Sequence, residues 1–441
     1  MYRKIENEVE LGMSGEASIT VSTTAQRSRE NATCSAPERP SNETPIEEKE
    51  KGEIEQLSSA RETFGNIFIA FVGAGILGLP HAFRRSGLVL GACFILTVAA
   101  MALHCMLLLI KCKRRLEGSG VVSYSGVAGH CCGRGMQVCV EILLILTQVG
   151  FCVGYLVFIG QNMKSMDFMP ESYHIYGGVP ILVCLAMIRS LTALAPFSIL
   201  ADVANVLGII VVVYHDLADG VVKEHEPTMV GSIRSLPFMF GVSMYCFEGF
   251  GMILPIEQAM QDRSQFEGVM TMSMATITVL FVSFGMLGYA AYGDETQDII
   301  TLNLPKDWTA SAVKIFLCLG LFFTFPVMMV PVYEIVEENL MGVPWIQGQL
   351  SPAGRRNIFN IVRAFLVLFA AFCAASVPGF GIFISLVGSL CCALLAFVFP
   401  ALFHMRVFKE EMPAWEWYTD LGFIVFGVLG AIIGVSDAIA Q

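Results

Sequence analysis

Two glycine-interrupted apolar segments constrain this chain more than any other feature: Gly73-Ala74-Gly75-Ile76-Leu77-Gly78-Leu79-Pro80 and Phe247-Glu248-Gly249-Phe250-Gly251-Met252-Ile253-Leu254-Pro255. Each lies inside a stretch otherwise apolar enough to cross a bilayer. Glycine costs about 1 kcal/mol relative to alanine in a helix interior and proline about 3, so clustering both breaks the helix. Broken backbone at membrane depth exposes amide and carbonyl groups that lipid cannot satisfy, and it persists only where protein covers it or where it lines a cavity. Two breaks at corresponding positions in two halves of a polytopic chain point to a transporter binding site.

The composition agrees: 55% hydrophobic and 15% charged residues, with a mean hydropathy of +0.65, are too apolar for a soluble globule. The net charge of -11 argues against a nucleic-acid partner. Residues 1–60 carry seven bases against twelve glutamates and few apolar runs, so they are expected to form a disordered cytosolic tail preceding a transmembrane domain over 61–437. The fourteen cysteines lie mostly in or beside apolar runs, which predicts no disulfide framework. No zinc-spaced ligand set, phosphate loop or nucleophile elbow is present, so neither a metal, a cofactor nor an enzymatic activity is expected.

Eleven spans are predicted, near 64–84, 88–110, 137–161, 177–194, 197–214, 236–255, 269–292, 311–333, 358–377, 379–403 and 417–437. The clearest, Leu88 to Ile110, holds no Asp, Glu, Lys or Arg and reaches roughly 34 Å as a helix. Counting Lys and Arg in the loops favours a cytosolic N-terminus and an opposite C-terminus, which leaves the sequons at Asn31 and Asn42 unused. Asp216 and Asp219 fall in a predicted outer loop. Spans one to five and six to ten then form two inverted halves, each opening with a broken helix.

The segment GAGILGLPHAFRRSG from Gly73 to Gly87 resembles the first-helix signature of the amino acid/auxin permease family, within the amino acid–polyamine–organocation superfamily. The resemblance continues through TQVGFCVGYLVFIGQN, LAPFSILADVANVLG, FEGFGMILPIE, TFPVMMVPVYEIVE and LVGSLCCALLAFVFPALFH, covering residues 60 to 437. It is nearest to plant-type vacuolar neutral amino acid exporters, then to animal proton-coupled transporters. It implies an all-α membrane protein of the LeuT-type 5+5 inverted repeat plus an eleventh helix, spans one and six discontinuous, around a central site. It also implies a vacuolar or lysosome-like membrane, with the plasma membrane second. The chain departs from the family pattern at Asn66, where the animal branch carries histidine, and at Ile69, where sodium-coupled relatives carry asparagine. His81 replaces a usual tyrosine, and Val330 an asparagine frequent in the plant subgroup.

Unwound backbone at Gly73, Ala74, Gly75, Ile76, Leu77 and Gly78 would offer amides and a helix-dipole end to a substrate carboxylate. Carbonyls at the first half-helix end and at the corresponding break near Cys246–Phe247 would face its ammonium, with Phe247 walling the pocket and Gly249 beside it. The competing explanation is a small-residue helix interface. Glu248 is the candidate proton acceptor, because a carboxylate at bilayer depth is costly unless paired or protonated; a fixed cap on the neighbouring half-helix is the alternative. Tyr155 would close the pocket, or merely pack, and Thr324 would face it unless its hydroxyl bonds within its own helix. Pro196-Phe197-Ser198 reads as a helix start with Asp202 one turn on, complementing its dipole at the cytosolic mouth, a proton relay being the alternative; His104 and His404 read as interfacial residues near span ends.

The function these features imply is secondary active transport of small neutral amino acids (alanine, glycine and proline), with proton symport the expected coupling, across a lipid bilayer by alternating access. The alternatives are an amino-acid-sensing receptor-like membrane protein and an auxin-type importer.

Overall fold

The computed structural model describes residues 57–441, apart from 122, 168, 190, 221–226 and 306; the predicted tail and its sequons lie outside the described residues except for 57–60. Those last residues are tied down. The Ser58 amide donates to the Ala259 carbonyl at 2.7 Å, and the Gln261 amide donates to the Ser58 carbonyl at 3.0 Å. Ser59 then caps the helix that starts at Ala60, with Glu62 reaching back to its amide.

Among the described residues nine helices are long and apolar enough to span a membrane, and a tenth span is the bent pair Ala60–Phe71 and Ala74–Ser86, which turns by 47° at its break. The remaining segment, Glu171–Ala186, has 16 residues and reaches only about 24 Å. It lies between the third and fifth predicted spans and is numbered fourth below. At its start Glu171 lines the same cleft as Asp298, while beyond its end Arg363 donates to the carbonyls of Ala186 at 3.0 Å and Ile188 at 3.3 Å. By length and composition, ten of the eleven predicted spans are found among the described residues.

Two predicted boundaries are corrected. The fourth span ends at Ala186 rather than 194, and the fifth begins at Leu191 and runs to Gly220. Pro196 therefore sits inside a helix, not at its start, and Asp202 is well within it rather than in the first turn. Proline is tolerated there because membrane helices re-satisfy the freed backbone groups locally. Asp216, expected in a loop, is buried on the same helix.

The halves are related by a swap of partners. The seventh span (Phe266–Tyr292) packs on the first, as the second (Leu88–Leu116) packs on the sixth; the eighth (Trp308–Met341) packs on the fifth, as the tenth (Phe380–Val407) packs on the third (Arg134–Met166). That is the pairing an inverted five-helix repeat produces. One end of the bundle is basic and firmly tied. Lys113 forms a fully buried ion pair with Glu257, and Arg114 adds contacts to Glu257 at 3.3 Å and Glu267 at 2.7 Å. At the opposite end Arg85 meets Gln441 at 2.7 Å.

His404 is not an interfacial residue. It is 1% exposed, and its Nδ1 lies 2.7 Å from Asp420 on the eleventh span (Ala414–Ala440). Burying two titratable groups together is feasible because each supplies the other's partner.

Candidate functional site

The first break is compact. The helix ends at Phe71, Gly73 is extended, and a 3-10 turn over Ala74–Gly78 leads into the second half-helix, Leu79–Ser86. The first bond within that turn is Ile76 amide to Gly73 carbonyl, 3.4 Å. The Ala74 and Gly75 amides precede it and have no intrahelical partner. In the sixth span the helix Leu236–Cys246 stops, residues 247–249 are irregular, and Phe250–Gln258 resumes.

Between the breaks lies a cavity of about 140 Å³. From the first span it is lined by Ala70, Phe71, Gly73, Ala74 and Gly75, and from the sixth by Tyr245, Cys246, Glu248, Gly249, Gly251 and Met252. The third span contributes Gln148, Phe151 and Tyr155, and the eighth Val327, Met328 and Pro331. Four spans therefore converge, two of them at their broken points. The cavity leans toward the basic end, where its rim residues Ala70 and Met252 are exposed.

The expected residues divide. Gly73, Ala74, Gly75, Tyr155, Cys246, Glu248 and Gly249 share the lining. Ile76, Leu77 and Gly78 are buried beside it in the 3-10 turn, with Gly78 close against Ile384 and Phe380 of the tenth span. Phe247 faces away and packs on Phe281, ring centroids 5.2 Å apart. Thr324 is outside the lining, its hydroxyl donating to the Gly320 carbonyl at 2.9 Å. Asp202 adjoins a separate crevice beside Phe68, Ile69 and Val72.

Glycine is required where chains approach closely. A Cβ on Gly75 would lie 2.9 Å from the Tyr245 ring and 3.1 Å from the Cys246 sulfur. A methyl on Gly73 would lie 3.9 Å from the Tyr155 hydroxyl, so that hydroxyl stands over bare backbone.

Glu248 is 7% exposed. Its Oε2 has no hydrogen-bond partner. An acceptor is thus left unused beside the start of the following half-helix. The tenth span makes π-helical turns over Gly388–Cys392 and Leu394–Val398, a distortion common at functional positions. The Leu395 carbonyl in the second of these accepts from Tyr124 at 2.6 Å.

Gln148, Phe151 and Tyr245 were not anticipated. Tyr245 is pinned edge-on by Phe151 at 4.7 Å, and its buried hydroxyl is unpartnered, as is Gln148 Oε1. The available signal was the polar Gln148 in a largely apolar run, two helical turns before Tyr155.

Residues 56–440 match the family described as transmembrane amino acid transporter protein. Amino acid transporter AVT3B of Arabidopsis thaliana is 40% identical over 409 residues, covering 88% of this chain and 95% of that one. Amino acid transporter ANT1 of the same plant is 40% identical over 402 residues, with coverages of 87% and 92%. Among solved structures, Mhp1, a nucleobase-cation-symport-1 family transporter in a closed conformation, aligns with a TM-score of 0.50 at 13% identity, over 87% of this chain and 92% of its own. That likeness concerns the fold, which is of the LeuT type.

Proposed function

The chain belongs to the transmembrane amino acid transporter protein family, and on that premise we propose that it carries small neutral amino acids by alternating access, coupled to protons. It is an integral multi-pass amino acid transporter; the substrate class, the coupling and the membrane are our reading. The observation that carries it is the chemistry of the cavity: bare glycine backbone on two sides, one carboxylate, and no Lys, Arg or His among the described lining residues.

With no cation available, a substrate carboxylate relies on the free amides of Ala74 and Gly75 and on the Tyr155 hydroxyl. An acidic side chain would bring a second carboxylate close to Glu248, where like charges repel at short range. Size sets the other limit. An apolar cavity of about 150 Å³ holds benzene, and alanine has the same number of non-hydrogen atoms. An indole ring with an acetate arm is much larger, which disfavours the auxin-type alternative. Glu248 is the group we assign to proton exchange, since it is buried, faces the cavity and retains an unused oxygen. The excess of bases at the Lys113 end supports placing that end in the cytosol, and the family resemblance supports a vacuolar or lysosome-like membrane.

The test is uptake of labelled alanine, glycine and proline by the purified protein in liposomes, under imposed pH or sodium gradients. Accumulation driven by the pH gradient and competed by the three neutral substrates but not by glutamate is expected. Saturable binding without flux would instead make the protein a sensor.

A further inference from the structure

The end opposite Lys113 is closed above the cavity by two layers. The inner one is aromatic: Phe158 and Phe380 meet edge to face at 6.1 Å, and the Tyr245 hydroxyl lies close against Gly154. The outer one is polar. His81, on the second half of the first span, has Nε2 3.6 Å from Asp298 Oδ1 and Nδ1 3.5 Å from the Thr296 carbonyl. Arg84 donates to the same carbonyl at 2.9 Å. Asp298 also abuts the start of the tenth span, where a Cβ on Gly379 would meet its Oδ2 at 2.8 Å.

Both nitrogens of His81 therefore face acceptors. A neutral imidazole carries one N–H and one lone pair, so either tautomer sets a lone pair against an oxygen. The doubly protonated ring presents an N–H to each, and only then is the 3.6 Å approach to Asp298 an ion pair. Asp298 borders a cleft of about 840 Å³ that opens to this side, so a proton reaches the pair without passing the aromatic layer.

We propose that the His81–Asp298 pair is a proton-binding site, separate from Glu248, through which acidity on this side holds this mouth shut. The proposal rests on the alternating-access reading above. The charged groups around His81 are Asp298 and, on its own helix, Arg84 and Arg85. Glu295 borders the same cleft, and Asp437 of the eleventh span acts on Arg85. The sixth span presents Phe238, edge-on at 5.6 Å, and the tenth presents Gly381; neither brings charge. Protonation converts a mismatched contact into an ion pair between the first span and the loop before the eighth, and so favours the closed arrangement described here.

Cys246 reports the opposite mouth, because it lines the cavity that leans toward the basic end. The full-length protein in oriented liposomes is treated from the basic side with a membrane-impermeant maleimide, and Cys246 modification is followed by peptide mass spectrometry while the other side is taken from neutral to acidic pH. Acidification should raise the labelling rate about fivefold, the shift a charge pair near 4 Å gives in water-like surroundings. His81→Gln and Asp298→Asn should each remove the response, whereas His81→Arg should label fast at both pH values. An unchanged pH response in both of the first two variants, each monodisperse, overturns the proposal while leaving the transport reading intact. No Cys246 labelling from either side in any condition contradicts the cavity reading, and the proposal with it.

Discussion

Phe71 lays its ring over the backbone of Gly249: a Cβ at residue 249 would lie 2.7 Å from Phe71 Cε2. The last residue of the first half-helix and the irregular turn of the sixth span thus fit together only because position 249 has no side chain. The cavity exists where these two interruptions meet, and its width depends on that contact.

Gly249→Leu is expected to abolish transport with the protein still inserted in its membrane, and Gly249→Ala to impair it. Overpacking of this kind costs about 1–3 kcal/mol. Because the obstacle is one ring, Phe71→Ala should partly restore Gly249→Ala. Uptake at matched protein amounts across the four-member cycle checks the coupling; strictly additive effects would separate the two residues.

The buried Lys113–Glu257 pair ties the second span to the sixth. Removing one partner leaves an uncompensated buried charge, so Lys113→Met should lower unfolding stability by about 3–5 kcal/mol, and Lys113→Met with Glu257→Met together by much less. Thermal melting in detergent micelles measures both.

Much of this arrangement is legible in the chain itself. Glycine and proline clusters mark the two breaks because no other residues cost a helix as much, and Gly73–Gly75 and Glu248 lie within them. The start of the fifth span was hidden by Pro196, whose preference for a helix N-terminus is overridden inside a membrane bundle. Tyr245 and Gln148 sit on helices apolar on all sides, so the inward-facing side is decided by tertiary packing and not by a periodic pattern. His404 looked bland because its partner, Asp420, belongs to another span.

Tyr155 and Thr324 separate lining from non-lining positions. Tyr155→Phe should raise KM roughly ten- to a hundredfold, the worth of one hydrogen bond to a charged group. Thr324→Val should leave KM unchanged, since that hydroxyl is spent on the Gly320 carbonyl. Initial uptake rates over a range of alanine concentrations distinguish them.

The orientation assigned from the basic end predicts that an N-glycosylation acceptor inserted beside Gln297 is used in cells and one inserted at Gly118 is not. The mobility of the two variants with and without glycosidase decides between the orientations.

Glu248 tests the central claim most directly. Glutamine copies the shape of a protonated glutamate but cannot release its proton. In liposomes, Glu248→Gln should retain counterflow exchange of labelled alanine while losing accumulation driven by a pH gradient. It should also keep the pH response of Cys246 labelling, which belongs to His81. If the variant concentrates alanine against its gradient with unaltered pH dependence, Glu248 only caps its half-helix and the proton does not pass through the cavity.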